Sequence, residues 1–368
     1  MEDSMRKLFG IGITILLVLA LGLPVAAQET AEVEPWVCPE GFSGQTLSVY
    51  NWSTYVAEDT ISNFEAACGV TVIYDVFDTN ESLLASLSQG NPGYDIIVPT
   101  DYMVEQMIGL GLLVELDHSL IPNIVNISET FIDPPYDPGN TYSLPYQWGT
   151  VGIGYNLTNT GEPITTWEQV FEYDGPVAWL DDPRGTIGNA LNILGYDPNS
   201  QNPDEIAEAR DFLLERGDNV VAIAQDDGQA MLERGEVDIT IEYSGDIFQL
   251  MADCECEDYG YAIPAEGAQV WTDNLAIPVG APNIPLAHAF IDYILHPQVG
   301  ADISNYTAYG TPLAAAIELG LIDEELLNNP GIYPTEETQE RLFFVSAVPD
   351  AEVEYNDAWD QIKVSLSQ

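Results

Sequence analysis

The sequence predicts an α/β protein of two domains, each a mostly parallel sheet flanked by helices. Three observations lead there. Strand-like and helix-like segments alternate in a βαβαβα order between Leu47 and Ile108. Removal of an export-type leader would leave about 340 residues, enough for two domains of ordinary size. Apolar residues make up 46% of the chain, which calls for packed cores rather than disorder.

The leader comes first. Arg6 and Lys7 precede an apolar run from Leu8 to Val25, and Val25-Ala26-Ala27 suits cleavage before Gln28. Residues 1–27 are read as a cleavable signal peptide and 28–46 as an N-terminal lead. Retention of the run as a membrane anchor is the lesser alternative. The expected location is periplasmic or extracellular.

Leu47-Ser48-Val49-Tyr50 alternates as a first strand, and Ile61, Phe64 and Cys68 recur at helical spacing before the natural stop Gly69. Val70, Val72 and Tyr74 form a second strand, and Glu81 to Leu87 a second helix. Asp95-Ile96-Ile97-Val98 is a short buried strand closed by Pro99, followed by a helix carrying Met103, Val104, Met107 and Ile108. After a polar, proline-rich stretch from Ile132 to Asn140, Tyr146 to Tyr155 reads as a glycine-bearing strand that crosses into the second domain. There, Asn202 is a plausible N-cap, with Pro203 at the first helical position and Glu205 completing a capping box. Val237, Ile239, Ile241 and Tyr243 alternate with polar residues as a strand; Leu275, Ile277 and Val279 form another. No flexible linker intervenes, so strand-like hinges are expected between the domains.

The charge is extreme: 60 acidic side chains against 8 basic, a net −52. Phosphate binding needs Lys and Arg, so nucleic acid and anionic lipid are poor partners. A cationic solute would be drawn in, although most of these acids are read as a solvated surface. Four cysteines follow the leader, and export permits disulfides. Cys38–Cys68 is the favoured pair; Cys254–Cys256 would be a tight ring of doubtful geometry. The acidic run around Cys254 and Cys256 lacks the histidine or second cysteine pair of a metal site, and no metal is expected. His118, His288 and His296 lie far apart and are read as surface or helix-end residues.

No nucleophile elbow, phosphate loop or dinucleotide fingerprint is present, so neither an enzyme nor a cofactor is indicated. What stands out is a set of aromatic and acidic residues at predicted strand ends. Trp52 and Tyr55 follow the first strand; Thr100, Asp101 and Tyr102 follow Pro99. Tyr243 and Asp246 close the strand over 237–242, and Trp271-Thr272-Asp273 precedes the strand at Leu275. Each ring alone is more often core than site. Together they describe a pocket in which rings face an ammonium group and carboxylates direct it.

Several segments resemble the polyamine-binding proteins of bacterial ABC importers, the putrescine- and spermidine-binding periplasmic family. They include Tyr50-Asn51-Trp52-Ser53, the run from Val72 to Glu81, Tyr94-Asp95-Ile96-Ile97-Val98-Pro99 and Leu180-Asp181-Asp182-Pro183. Further along are Leu194 to Pro198, Trp271 to Pro278 and Asn329 to Pro334. The similarity runs from about Leu47 to Val364 and is closer to the putrescine-binding branch. It implies a two-lobe periplasmic-binding-protein fold with a ligand cleft between lobes, here 47–149 with 273–312 and 150–272 with 313–368. It implies a monomer that closes on a small cationic polyamine and docks on permease subunits, without cofactor or catalytic residue. The ligand-binding positions implied are Trp52, Ser53, Tyr55, Thr100, Tyr102, Asp182, Tyr243, Asp246, Trp271, Asp273 and Tyr309. Tyr243 stands where the family usually has tryptophan, and Gly185 stands where it has a pocket glutamate. Asp101 or Glu242 are the candidates to replace that charge. The alternatives kept open are a guanidino or quaternary ammonium ligand, and a ligand-loaded sensor in place of an importer component.

Overall fold

The computed structural model describes residues 33–366 other than Glu255. The signal peptide expected over 1–27 lies outside them. Among the described residues no helix is long and apolar enough to cross a membrane.

Ten strands form the sheet system: β1 (Thr46–Asn51), β2 (Thr71–Val76), β3 (Ile96–Ile97), β4 (Ser143–Asn156), β5 (Val177–Leu180), β6 (Val220–Ala224), β7 (Ile239–Tyr243), β8 (Tyr259–Ala262), β9 (Ala268–Ala276) and β10 (Leu342–Phe344). Their order is β2-β1-β3-β9-β4-β7-β5-β6, with β10 on β9 and β8 on β4. At one end β1 runs parallel to β2 and β3; at the other, β5 runs parallel to β6 and β7. The middle is different. β4 and β9 are antiparallel to each other, β9 is antiparallel to β3 and β4 to β7, while the short β10 runs parallel to β9. β4 changes partner partway: residues up to Thr150 pair with β9, and those from Val151 pair with β7.

The helices stop and start where local chemistry dictates. Helix Thr60–Cys68 ends on Gly69 at φ 65°, the left-handed conformation that a residue without Cβ adopts freely. Thr79 caps helix Asn80–Ser88 through the backbone N–H of Ser82, in a box with the Ser82 hydroxyl. The box expected at Asn202 does not form. Asn202 caps helix Pro203–Leu214 through Asp204 N–H, while its own N–H donates to Ser200 Oγ, which in turn donates to Glu205. A second hydroxyl nearby therefore takes the position that Glu205 was expected to fill.

Strand β9 begins seven residues before the expected Leu275, so Trp271-Thr272-Asp273 lies inside it, and Ile277 and Val279 lie beyond its end. All nine of its residues are buried. A central strand covered on both faces has no polar alternation to mark its start. One histidine also differs from the expected surface or helix-end placement. His288 is buried within helix Ile284–Ile294, accepting from Asp117 N–H at Nε2 and donating from Nδ1 to Ile284 O. His296 does sit at a helix end, but it too is buried, donating to Glu34 O. Backbone atoms satisfy both ring nitrogens of His288, which is how a buried imidazole avoids the cost of an unpaired polar group, whereas Nδ1 of His296 has no partner among the described residues.

Cys38 and Cys68 are joined, with Cα atoms 5.2 Å apart. Cys254 and Cys256 are joined as well, so the ring of doubtful geometry forms and both thiols are consumed. The first bridge closes a separation of 30 residues and ties the N-terminal lead to the first helix. In the chain-entropy picture such a loop contributes about 3–4 kcal/mol. The Cys38→Ser/Cys68→Ser variant is expected to show a clearly lower denaturation midpoint. Removing the Cys254–Cys256 pair, which constrains only a short loop, is expected to cost much less. Equal midpoints for the two variants would contradict the loop-length argument.

Candidate functional site

The parallel strands carry their carboxyl ends to one cavity, the place where open α/β sheets receive ligands. Trp52, Ser53 and Tyr55 follow β1; Thr100 follows β3; Asp181 and Asp182 follow β5; Gln225 and Asp226 follow β6; Tyr243 ends β7. Asp246 lies in the first turn of helix Ser244–Cys254, Glu81 in that of helix Asn80–Ser88 and Tyr102 in that of helix Asp101–Gly109. From the middle of the sheet, alternate residues of β9 add Gln269, Trp271 and Asp273. Tyr309 enters from the loop after helix Pro297–Thr307. All eleven positions singled out in the sequence line this one cavity.

The rings form a continuous belt. Trp52 meets Tyr243 at 6.4 Å between centroids, Tyr243 meets Trp271 at 5.8 Å, Trp271 meets Tyr309 at 5.2 Å and Tyr309 meets Tyr55 at 5.2 Å. Most are edge-to-face, the arrangement that the ring quadrupole favours. Glycines make room for it. A Cβ on Gly149 would stand 2.8 Å from the Trp271 ring, and one on Gly245 would overlap Tyr309. Trp52 is fixed by its indole N–H, which donates to Val98 O at 2.9 Å, and by packing on Phe77.

Among the described residues seven carboxylates share the wall, Asp78, Glu81, Asp181, Asp182, Asp226, Asp246 and Asp273, and no Lys or Arg does. Helix starts hold several of them. Asp182 caps helix Pro183–Leu194, its Oδ1 accepting from Arg184 N–H and Gly185 N–H. Backbone N–H groups and the positive end of a helix favour an anion there. Asp273 is positioned by a relay in which Asn80 Nδ2 donates to Thr100 Oγ1, which donates to Asp273 Oδ1 at 2.7 Å. Ser53 Oγ donates to Asp226, linking the turn after β1 to the loop after β6.

Burial pushes Glu81, Asp182, Asp226, Asp246 and Asp273 toward the neutral form. Burial raises Asp273 and Asp246 to about 7, against the pull of hydroxyl donors from Thr100, Tyr55, Tyr309 and Thr54. Glu81 rises to about 7 through burial and then through the charge of Asp182. Asp226 is raised well above the ordinary carboxylate range, by burial first and by Asp246 second. A cluster of this kind is poorly satisfied by itself and well satisfied by a cation.

The replacements expected for the absent glutamate are elsewhere. Asp101 turns inward, accepting from Tyr102 N–H and Thr272 N–H. Glu242 is fully buried behind the wall, accepting from Tyr243 N–H. Neither lines the cavity. Sequence reasoning missed four carboxylates that do: Asp78, Glu81, Asp181 and Asp226. Glu81 closes a motif already noted; Asp226 follows a strand, β6, that went unrecognised. Gln269 was also missed, although it sits two residues before Trp271, one strand period away.

The chain matches the family model described as "Bacterial extracellular solute-binding protein" over residues 59–332. It is 34% identical to a putrescine-binding periplasmic protein of Pseudomonas aeruginosa, over 87% of this chain and 92% of that protein. It is 32% identical to a spermidine/putrescine-binding periplasmic protein of Salmonella typhimurium, over 86% and 91%. Among solved structures, a spermidine/putrescine ABC transporter substrate-binding protein from Streptococcus pneumoniae superposes with a TM-score of 0.74. It shares 33% identity, covering 88% of this chain and 100% of that one.

Proposed function

The chain belongs to the bacterial extracellular solute-binding protein family, with its two-lobe fold, and on that premise we propose that it captures a polyamine for an ABC importer. The observation that carries the proposal is the cavity wall: seven carboxylates and five linked rings, with no basic side chain. Flexible alkylammonium chains need these two features together. The rings cover methylene groups and attract ammonium charge, each good cation–ring contact contributing about 0.5–2 kcal/mol. The carboxylates direct the termini and reject neutral analogues.

In this reading residues 47–149 with 273–312 form one lobe, and 150–272 with 313–368 the other. The partner change of β4 at Thr150 supports a hinge there. Closure brings Ser53 to Asp226 and Trp52 to Tyr243, sealing the amine from water. The closed monomer, exported by its signal peptide, then docks on a membrane permease. No bond is made or broken in the ligand.

A thermal-shift panel of putrescine, cadaverine, spermidine, agmatine and choline tests the reading. A ligand present at 100 times its dissociation constant adds about 2.7 kcal/mol of stability. Polyamines are expected to raise the midpoint and choline to leave it unchanged. A shift with choline or agmatine alone would favour the guanidino or quaternary ammonium class and overturn the polyamine proposal.

A further inference from the structure

We propose that the cavity is measured for an extended linear triamine, with β9 as the ruler: one terminal ammonium at Asp273, the other at Gln269 beside Asp182. The inference rests on the polyamine reading and sharpens it. Gln269, Trp271 and Asp273 all face the cavity, while Val270 and Thr272 do not line it. Along a strand, each two-residue step advances about 6.7 Å, so Asp273 and Gln269 stand about 13 Å apart at the backbone.

The Asp273 end is an acceptor held by Thr100, with Trp271 two residues along the same face of β9 and the Tyr55 and Tyr309 rings against Trp271. The Gln269 end is a second acceptor group that lacks a donor. Gln269 is buried, and its Oε1 has no hydrogen-bond partner among the described residues. A Cβ placed on Gly185 would overlap both Gln269 Oε1 and Asp182 Oδ2. Two acceptor oxygens thus crowd the space over Gly185, and Glu81 adds a further carboxyl close to Asp182. Buried acceptors in this state are costly unless a donor enters between them. An ammonium, with three N–H bonds and a positive charge, is such a donor. The absence of a side chain at 185 is what lets Gln269 reach this position.

The two ends set a length. A four-carbon diamine separates its nitrogens by five bonds, about 6 Å when extended, given single bonds near 1.5 Å. That matches one step of the ruler, from Asp273 to Trp271. A triamine of the three-plus-four carbon type separates its terminal nitrogens by nine bonds, about 11 Å on the same geometry. That matches nearly two steps, from Asp273 to Gln269. Its inner ammonium then lies along Trp271 and Tyr243, near the charges of Asp226 and Asp182.

The experiment is calorimetry of the full mature chain with putrescine and spermidine, on the wild type and on Gln269→Leu and Gln269→Glu. Spermidine is expected to bind at least about tenfold tighter than putrescine. Gln269→Leu is expected to remove that preference, costing spermidine at least about tenfold while changing putrescine less than about threefold. Gln269→Glu is expected to keep or increase the preference. Ligand-free melting of each variant separates a folding defect from a lost contact, and Gln269→Glu keeps the test open if the leucine variant unfolds. Putrescine binding as tightly as spermidine, or an equal loss for both in Gln269→Leu, would overturn the ruler and leave the polyamine reading standing. Binding of neither amine would overturn both.

Discussion

Replacing Asp273 by asparagine is expected to weaken polyamine binding by about 2–5 kcal/mol, the range for truncating one partner of a buried charge pair. At 1.4 kcal/mol per tenfold, the loss in affinity is at least about 30-fold. The structure explains why this carboxylate should matter more than the others. Asp273 is 4% exposed, lies in the central strand β9 and is oriented by the Asn80–Thr100 relay. It lines the cavity together with the five linked rings. The asparagine is nearly isosteric and keeps the Thr100 hydrogen bond, so the fold should persist. Calorimetry beside a circular dichroism melt checks this. A loss below about tenfold in a folded variant would remove Asp273 from the central role.

Affinity is expected to fall by at least about tenfold between pH 8 and pH 5.5, with protons released on binding. Asp273, Asp246 and Glu81 are all raised to about 7 in the empty cavity, chiefly by burial. Alkylammonium groups stay charged throughout, since their pKa lies near that of lysine, about 10.4. Below pH 7 the ligand must therefore displace protons from the wall. Each carboxyl that has to ionise costs up to about tenfold in affinity per pH unit below its pKa. The sign for the empty protein is opposite. These groups have folded-state values above their ordinary ones, so the folded chain holds more protons than the unfolded chain. Their contribution to ligand-free stability is therefore greatest in acid and declines as pH rises from about 4 to about 7. The ligand-induced rise in melting midpoint should accordingly grow from pH 5.5 to pH 8. Titrations in two buffers of different ionisation enthalpy count the protons. A flat affinity profile with no buffer dependence would show that the cluster is already ionised.

Much of the cavity is legible along the chain because strand ends are legible. Trp52, Thr100 and Tyr243 follow or close short runs with clear period-two or apolar patterns, and the sheet brings such ends together. Asp226 escapes notice because β6, with Val221 exposed and its neighbours half-buried, lacks that pattern. The limits of β9 escape because both its faces are covered. Glu81 hides among 60 acids, where no single carboxylate carries a signal.

The linear chain by itself determined the class of the wall: which rings and acids stand at strand ends, and therefore the class of solute proposed, a cation with an apolar body. Periodicity and local caps are short-range properties, and residues a few positions apart suffice to set them. Only the tertiary structure decided what each acid does. Asp101 and Glu242 looked equivalent to Glu81 and Asp226 in the sequence, yet the first two point into the protein and the second two into the cavity. The same holds for Gly185, whose missing side chain is answered by Gln269 from a strand 84 residues later. Charge and hydrogen bonding act through space over a few ångströms, and which distant segments come that close is settled only when the sheet closes around the cavity.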